Sequence, residues 1–220
     1  MTKPFSTKQA ILFDLDGTLT DPKEGITKSV AYALAQEGIM VHDLDTLCPF
    51  IGPPLKEMFM SQYGFNEAKA ELAIANYRVY FKKQGMFENI AYPGIKELLA
   101  LLCKQGKALY VATSKPTVFA KEILAHFHLA SYFTDICGSE FDGTRSKKAD
   151  VIRYVLKQHQ LCVSDCVMIG DRKHDILGAK ENDMASIGVL YGYGSLEELR
   201  NAQADAIVAS IQDLQDILTA

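Results

Sequence analysis

Ala10-Ile11-Leu12-Phe13-Asp14-Leu15-Asp16-Gly17-Thr18 is the stretch on which the fold turns. Four apolar residues bounded by polar ones predict a short buried strand. The run stops at two carboxylates and a glycine. Gly17 permits a tight bend that brings Asp14 and Asp16 to the same side. Taken alone, an aspartate after a strand is usually a helix cap or a turn former, and Asp-Gly is a common turn. The stretch gains meaning from what the rest of the chain places beside it.

Beyond Thr18 come three or four helical patterns without a convincing strand. Ile26, Val30, Ala33 and Leu34 recur at helical spacing, as do Leu72, Ala75, Val79 and Tyr80. Ile51-Gly52-Pro53-Pro54-Leu55 interrupts them with turn chemistry, and Tyr92-Pro93-Gly94 closes the block. Then the rhythm becomes an alternation. Helices are expected at 95–103, 118–127, 149–159, 176–182 and 196–202, with a last one running through Leu218. Strands are expected between them at 108–112, 133–137, 166–169, 185–190 and 206–208. This predicts an α/β fold, a Rossmann-like parallel sheet with helices on both faces. Residues 1–21 and 91–220 would form the core, and 22–90 an inserted all-helical subdomain.

Composition narrows the function classes. The 220 residues are 48% hydrophobic and 23% charged, an ordinary globular balance that excludes wholesale disorder. Lys and Arg number 23 against 27 Asp and Glu, for a net charge of −4. That argues against a broad basic face for a nucleic acid polymer. No apolar run approaches the ~20 residues that span a bilayer. The four apolar residues after the polar beginning are too few for a secretion signal, so a cytoplasmic location is expected. Five scattered cysteines (Cys48, Cys103, Cys137, Cys162, Cys166) include no C-x-x-C pair. Reduced, mostly packed thiols are expected, because Cys162, Cys166 and His159 match no recognised zinc spacing.

In an open parallel sheet, chemistry gathers at the carboxyl ends of the strands. The first strand ends at Asp14 and Asp16. The strand through Ala112 ends at Thr113 and Ser114. The strand through Ile169 ends at Gly170-Asp171, with Asp175 one helical turn further. Acidic residues and hydroxyls would thus converge on one edge. Clustered carboxylates repel one another, and a hard divalent cation relieves that; oxygen-only ligands with water suit Mg²⁺. Thr113 and Ser114, just before a helix, could offer hydroxyls and N–H groups to an oxyanion.

These residues resemble the haloacid dehalogenase-like hydrolase superfamily. Phe13-Asp14-Leu15-Asp16-Gly17-Thr18-Leu19 is similar to its D-x-D-G-T motif. Thr113 resembles its second motif, and Gly170-Asp171-Arg172-Lys173-His174-Asp175 its G-D-x-x-x-D motif. The lysine motif must come from Ser146-Lys147-Lys148-Ala149, with Lys148 preferred and Lys147 the runner-up. The resemblance implies that Asp14 is a nucleophile toward phosphorus and that Asp16 is the general acid and base. It implies that Thr113 and Lys148 bind phosphate, next to the Ser114 hydroxyl, and that Mg²⁺ is held by Asp14, the Asp16 carbonyl and Asp171, with Asp175 supporting it directly or through the other ligands. The insert resembles the helical cap of the phosphoglycolate phosphatase-like branch, where Gly52 and Pro53 would face the pocket. Asp142-Gly143-Thr144-Arg145 and Leu190-Tyr191-Gly192-Tyr193-Gly194-Ser195 are closer to bacterial 5'-nucleotidase-like members. Arg145 would either bind an anionic part of the substrate or sit in solvent.

The resemblance therefore implies a Mg²⁺-dependent phosphatase of small phosphomonoesters, phosphoglycolate or nucleoside 5'-monophosphates, acting through an aspartyl-phosphate. A sugar phosphomutase would share that chemistry. Haloacid dehalogenation is disfavoured, since halide departure needs neither a proton nor a cation. A phospho-accepting receiver module fits poorly, because such modules carry no large helical insert after the first strand.

Overall fold

The computed structural model describes residues 4–220. The chain enters through β1 (Ala10–Phe13), whose four residues are all buried. The two-residue strand β2 (Thr20–Asp21) leads out into α1 (Lys23–Gln36), α2 (Leu55–Tyr63) and α3 (Glu67–Tyr80), and β3 (Ile90–Ala91) leads back to pair with β2. There follow α4 (Ile95–Lys104), β4 (Ala108–Pro116), α5 (Thr117–His126), β5 (Asp135–Ser139), α6 (Lys148–Gln158) and β6 (Cys166–Gly170). The chain ends with α7 (Lys173–Lys180), β7 (Ala185–Val189), α8 (Leu196–Asn201), β8 (Ala206–Val208) and α9 (Ile211–Thr219). It separates into two compact units, one formed by the residues up to Thr20 with Ala91–Ala220, the other by Asp21–Ile90.

The larger unit holds a six-stranded sheet in the order β5-β4-β1-β6-β7-β8, and every pairing in it is parallel. The order reverses beside β1, with β4 on one side and β6 on the other. Such a reversal opens a crevice at the carboxyl ends of the strands, and β1 delivers Asp14 there. With the right-handed crossovers that parallel sheets favour, this order sets α4 and α5 on one face of the sheet and α6, α7 and α8 on the other. On the second face Leu12, Tyr110 and Met168 pack with Val151, Ile152 and Val155 of α6 and Ala179 of α7. Helix α4 buries Ile95, Leu98, Leu99 and Leu102, the i, i+3, i+4, i+7 stripe of a half-buried helix.

The helical unit closes on its own apolar residues. Val30, Ala33 and Leu34 of α1 and Ala70, Ala73 and Tyr77 of α3 are buried. Phe50, Phe59 and Phe65 form an aromatic cluster, with Phe59 and Phe65 stacked at 5.9 Å. Among the described residues no helix is long and apolar enough to cross a membrane.

Two strands differ from their sequence-based limits. The strand expected at 133–137 lies at Asp135–Ser139. Ala130–Tyr132 forms a short 3-10 turn, and Phe133 packs edge-on against Phe13 from outside the ladder. The strand expected to stop at Ala112 continues to Pro116, but irregularly. Ala112 pairs with Cys137 and Pro116 with Ser139, so β4 carries two more residues than β5 over the same rise. Thr113 and Ser114 therefore lie in a bulge rather than past a strand end. Bulges re-aim side chains, and they recur beside active sites.

Candidate active site

Asp14 follows β1 directly, its backbone N–H bonded to the Ile169 carbonyl of β6 at 2.9 Å. The turn after Asp16 is closed by the Gly17 N–H to the Thr20 carbonyl at 2.8 Å. Gly17 has a φ of +82°, and a Cβ there would lie 2.3 Å from Oδ2 of Asp171. Both facts demand glycine: the backbone is left-handed, and the neighbouring carboxylate occupies the space a side chain would need.

The end of β6 supplies the opposite wall. Asp171 is fully buried. Its Oδ2 accepts the Tyr193 backbone N–H at 2.7 Å, and its Oδ1 accepts the Thr18 hydroxyl at 3.4 Å. Asp175 sits in the first turn of α7, where its Oδ2 accepts the Arg172 N–H at 3.0 Å. That bond satisfies a free donor at the start of the helix and aims the other oxygen inward.

Lys148, the first residue of α6, joins these groups. It is 5% exposed, and its Nζ stands 2.7 Å from Oδ1 of Asp14 and 2.8 Å from Oδ1 of Asp175. It also donates to the Ala112 carbonyl at 3.0 Å. Lys147, the alternative, is exposed. Thr113 is buried, and its Oγ1 accepts the Lys115 N–H at 3.3 Å. Ser114 is half-buried, with its carbonyl accepting the Ser139 hydroxyl at 2.8 Å.

Electrostatics follow from burial and crowding. Burial raises Asp171 well above the usual carboxylate range, and Asp175 and Asp14 raise it further. Burial lifts Asp175 to about 6, although Lys148 opposes the rise. Burial would lower Lys148, but Asp14 and Asp175 outweigh it and hold the ammonium at about 12. Burial also raises Asp16, against the pull of Lys115.

One oxygen from each of Asp14, Asp171 and Asp175 lies within 4.8 Å of the others, all three residues buried. A hard divalent cation fits this donor set: three carboxylates, no sulfur or imidazole, in a place where like charges need neutralising. Asp16 does not bring its side chain to this cluster, since its carboxylate is turned to Lys115.

The remaining sequence candidates are Gly52, Pro53 and Arg145. Gly52, with a φ of +100°, and Pro53 form the turn before α2 in the helical unit. Arg145 is engaged within its own loop, its Nε donating to the Gly138 carbonyl at 3.1 Å and its guanidinium paired with Glu140. The same guanidinium lies 4.1 Å from the centre of the Tyr154 ring. Sequence reasoning missed Lys115, Thr18 and the Tyr193 N–H. A lysine extending an apolar strand was the available signal for Lys115; a backbone donor from a distant loop leaves none.

Residues 11–189 match the family described as Haloacid dehalogenase-like hydrolase. The chain belongs to the haloacid dehalogenase-like hydrolases. Within that family it is 53% identical over 208 residues to a 5'-nucleotidase from Pseudomonas aeruginosa, covering 94% of each chain. It is 36% identical over 219 residues to the Tyrosine-protein kinase PtkA of Mycobacterium tuberculosis, covering 99% of this chain and 75% of that one. A crystal structure described as a predicted phosphatase from Clostridium acetobutylicum superposes with a TM-score of 0.94 at 55% identity, over 95% of this chain and 97% of that one. The haloacid dehalogenase-like fold is thus shared throughout, and the chain is a phosphoric monoester hydrolase of this family.

Proposed function

We propose that the chain hydrolyses small phosphomonoesters, nucleoside 5'-monophosphates foremost and phosphoglycolate as the competing substrate, through a phosphoryl group carried on Asp14. One observation carries the reading: the buried Lys148 ammonium lies 2.7 Å from Asp14 at the switch point of the sheet, inside an acidic cluster. A carboxylate that attacks phosphorus needs a neighbouring positive charge to draw the phosphate in, and the adjacent ammonium supplies one.

In the first step an Asp14 oxygen bonds to phosphorus while the ester P–O bond breaks. Asp16 gives its proton to the departing oxygen, and the alcohol leaves. In the second step water attacks the same phosphorus, Asp16 takes back a proton, and the Asp14–phosphorus bond breaks to release phosphate. Lys148 and the Thr113 hydroxyl offset charge on the transferring oxygens. Asp14, Asp171, Asp175 and the Asp16 carbonyl would hold Mg²⁺, which would neutralise the carboxylates and shield the approaching phosphate from them. The turn at Gly52 and Pro53 would contribute to substrate choice.

A phosphate-release screen over phosphorylated metabolites, with Mg²⁺ or with EDTA, tests this reading. Mg²⁺-dependent release led by nucleoside 5'-monophosphates is the expected result. Isomerisation of a sugar phosphate without net release would favour a mutase. Transfer to an added tyrosine peptide in place of water would favour the kinase relative's printed activity. No release from any monoester would overturn the proposal.

A further inference from the structure

Lys115 has no place in the chemistry above, yet the fold goes to some length to bury it. It is 9% exposed, and its Nζ donates to Oδ1 of Asp16 at 2.7 Å. Burying a lysine immobilises a long side chain and strips its charge of water, so it persists where a partner compensates. Its path also depends on a neighbour. A Cβ on Gly138 would lie 2.2 Å from the Lys115 carbonyl, so β5 needs a glycine there for the β4 bulge to pass. The bulge lets one short segment deliver both Thr113 and Lys115 to the carboxyl end of the sheet.

We infer that Lys115 is the positioning residue for Asp16, holding one carboxylate oxygen so that the other carries the proton to the leaving oxygen and later takes one from water. Lys115 keeps its own protons throughout. The inference rests on the aspartyl-phosphate reading, with Asp16 as acid and base. A residue that acts through a general acid matters only where the leaving group needs a proton. Nitrophenolate departs as a stable anion and needs none, whereas an alkoxide does. Both substrate types leave the same phosphorylated Asp14, so the second step should suffer equally for both.

The test is rapid-quench kinetics on Lys115→Met, with p-nitrophenyl phosphate and with the best alkyl phosphomonoester from the screen. Alcohol release in a single turnover should fall roughly 10²-fold, the lower end of what general acid catalysis supplies. The nitrophenolate burst should stay within about threefold of wild type and be followed by a slowed steady state. Asp16→Asn combined with Lys115→Met should be no slower than Asp16→Asn alone. An equal loss for both leaving groups in the first turnover, or a double variant slower by the product of the single effects, would overturn the inference. Should Lys115→Met fail to fold, the double variant, which removes both charges, decides by its comparison with Asp16→Asn. If wild type hydrolyses no monoester, the phosphatase reading fails first, which separates the two failures.

Discussion

The Nζ of Lys148 lies 2.7 Å from Oδ1 of Asp14, and neither side chain is more than 6% exposed. The lysine opens α6 and the aspartate directly follows β1, so the pair forms only when sheet and helix pack. Lys148 also faces Asp175 at 2.8 Å, which makes it a shared counter-ion for two carboxylates.

Lys148→Met keeps most of the stem and removes the charge, leaving Asp14 and Asp175 buried without it. We expect kcat/KM for phosphate release to fall on the order of 10²–10³-fold. In EDTA the variant should lose about 3–5 kcal/mol in urea unfolding, because one partner of a buried ion pair is gone. Turnover within a few-fold of wild type would contradict the assignment.

Stability of the metal-free protein should fall as pH rises. Asp175 is raised to about 6 from an ordinary value of 3.8, and burial raises Asp171 well above the same ordinary value. Between those values the native state retains protons that the unfolded chain has released, so raising the pH favours unfolding. The loss should be on the order of 2 kcal/mol from pH 4 to pH 7. Saturating Mg²⁺ should flatten the profile by binding the ionised carboxylates. Thermal unfolding across that range, in EDTA and in Mg²⁺, checks both the sign and the metal effect.

Gly17→Ala places a methyl group against Asp171 on a left-handed backbone. Activity should drop at least about 10²-fold, with weaker Mg²⁺ binding by titration calorimetry, since the displaced carboxylate belongs to the proposed metal site. Normal Mg²⁺ affinity in this variant would place the metal elsewhere.

Arg145→Ala removes the contacts to Glu140, the Gly138 carbonyl and the Tyr154 ring. These partners already engage the guanidinium, so KM should change less than about threefold while stability falls by about 1 kcal/mol. A tenfold rise in KM would restore Arg145 to the substrate.

The sheet and the acidic cluster were legible because their signals are local. A continuous apolar run such as Ala10–Phe13 marks a buried strand, and the residue just past it marks the sheet edge. In the sequence Lys148 was preferred to Lys147 only for its place at the start of the following helix, whereas in the fold one lysine faces Asp14 and the other faces solvent. The β4 bulge was not legible. Periodicity stops at Ala112, and the two additional residues are set by pairing with β5 and by the space at Gly138. Lys115 was missed for the same reason, and so was the Tyr193 N–H, which reaches Asp171 through a turn that no side-chain pattern announces.

The central claim is that Asp14 carries phosphorus, and acid quench of the enzyme with ³²P-labelled p-nitrophenyl phosphate tests it most directly. In an Asp16→Asn background, where breakdown of the intermediate is slowed, label should accumulate on the peptide containing Asp14 and vanish when Asp14→Asn is added. Label on another residue, or continued turnover by Asp14→Asn without label, would contradict the account.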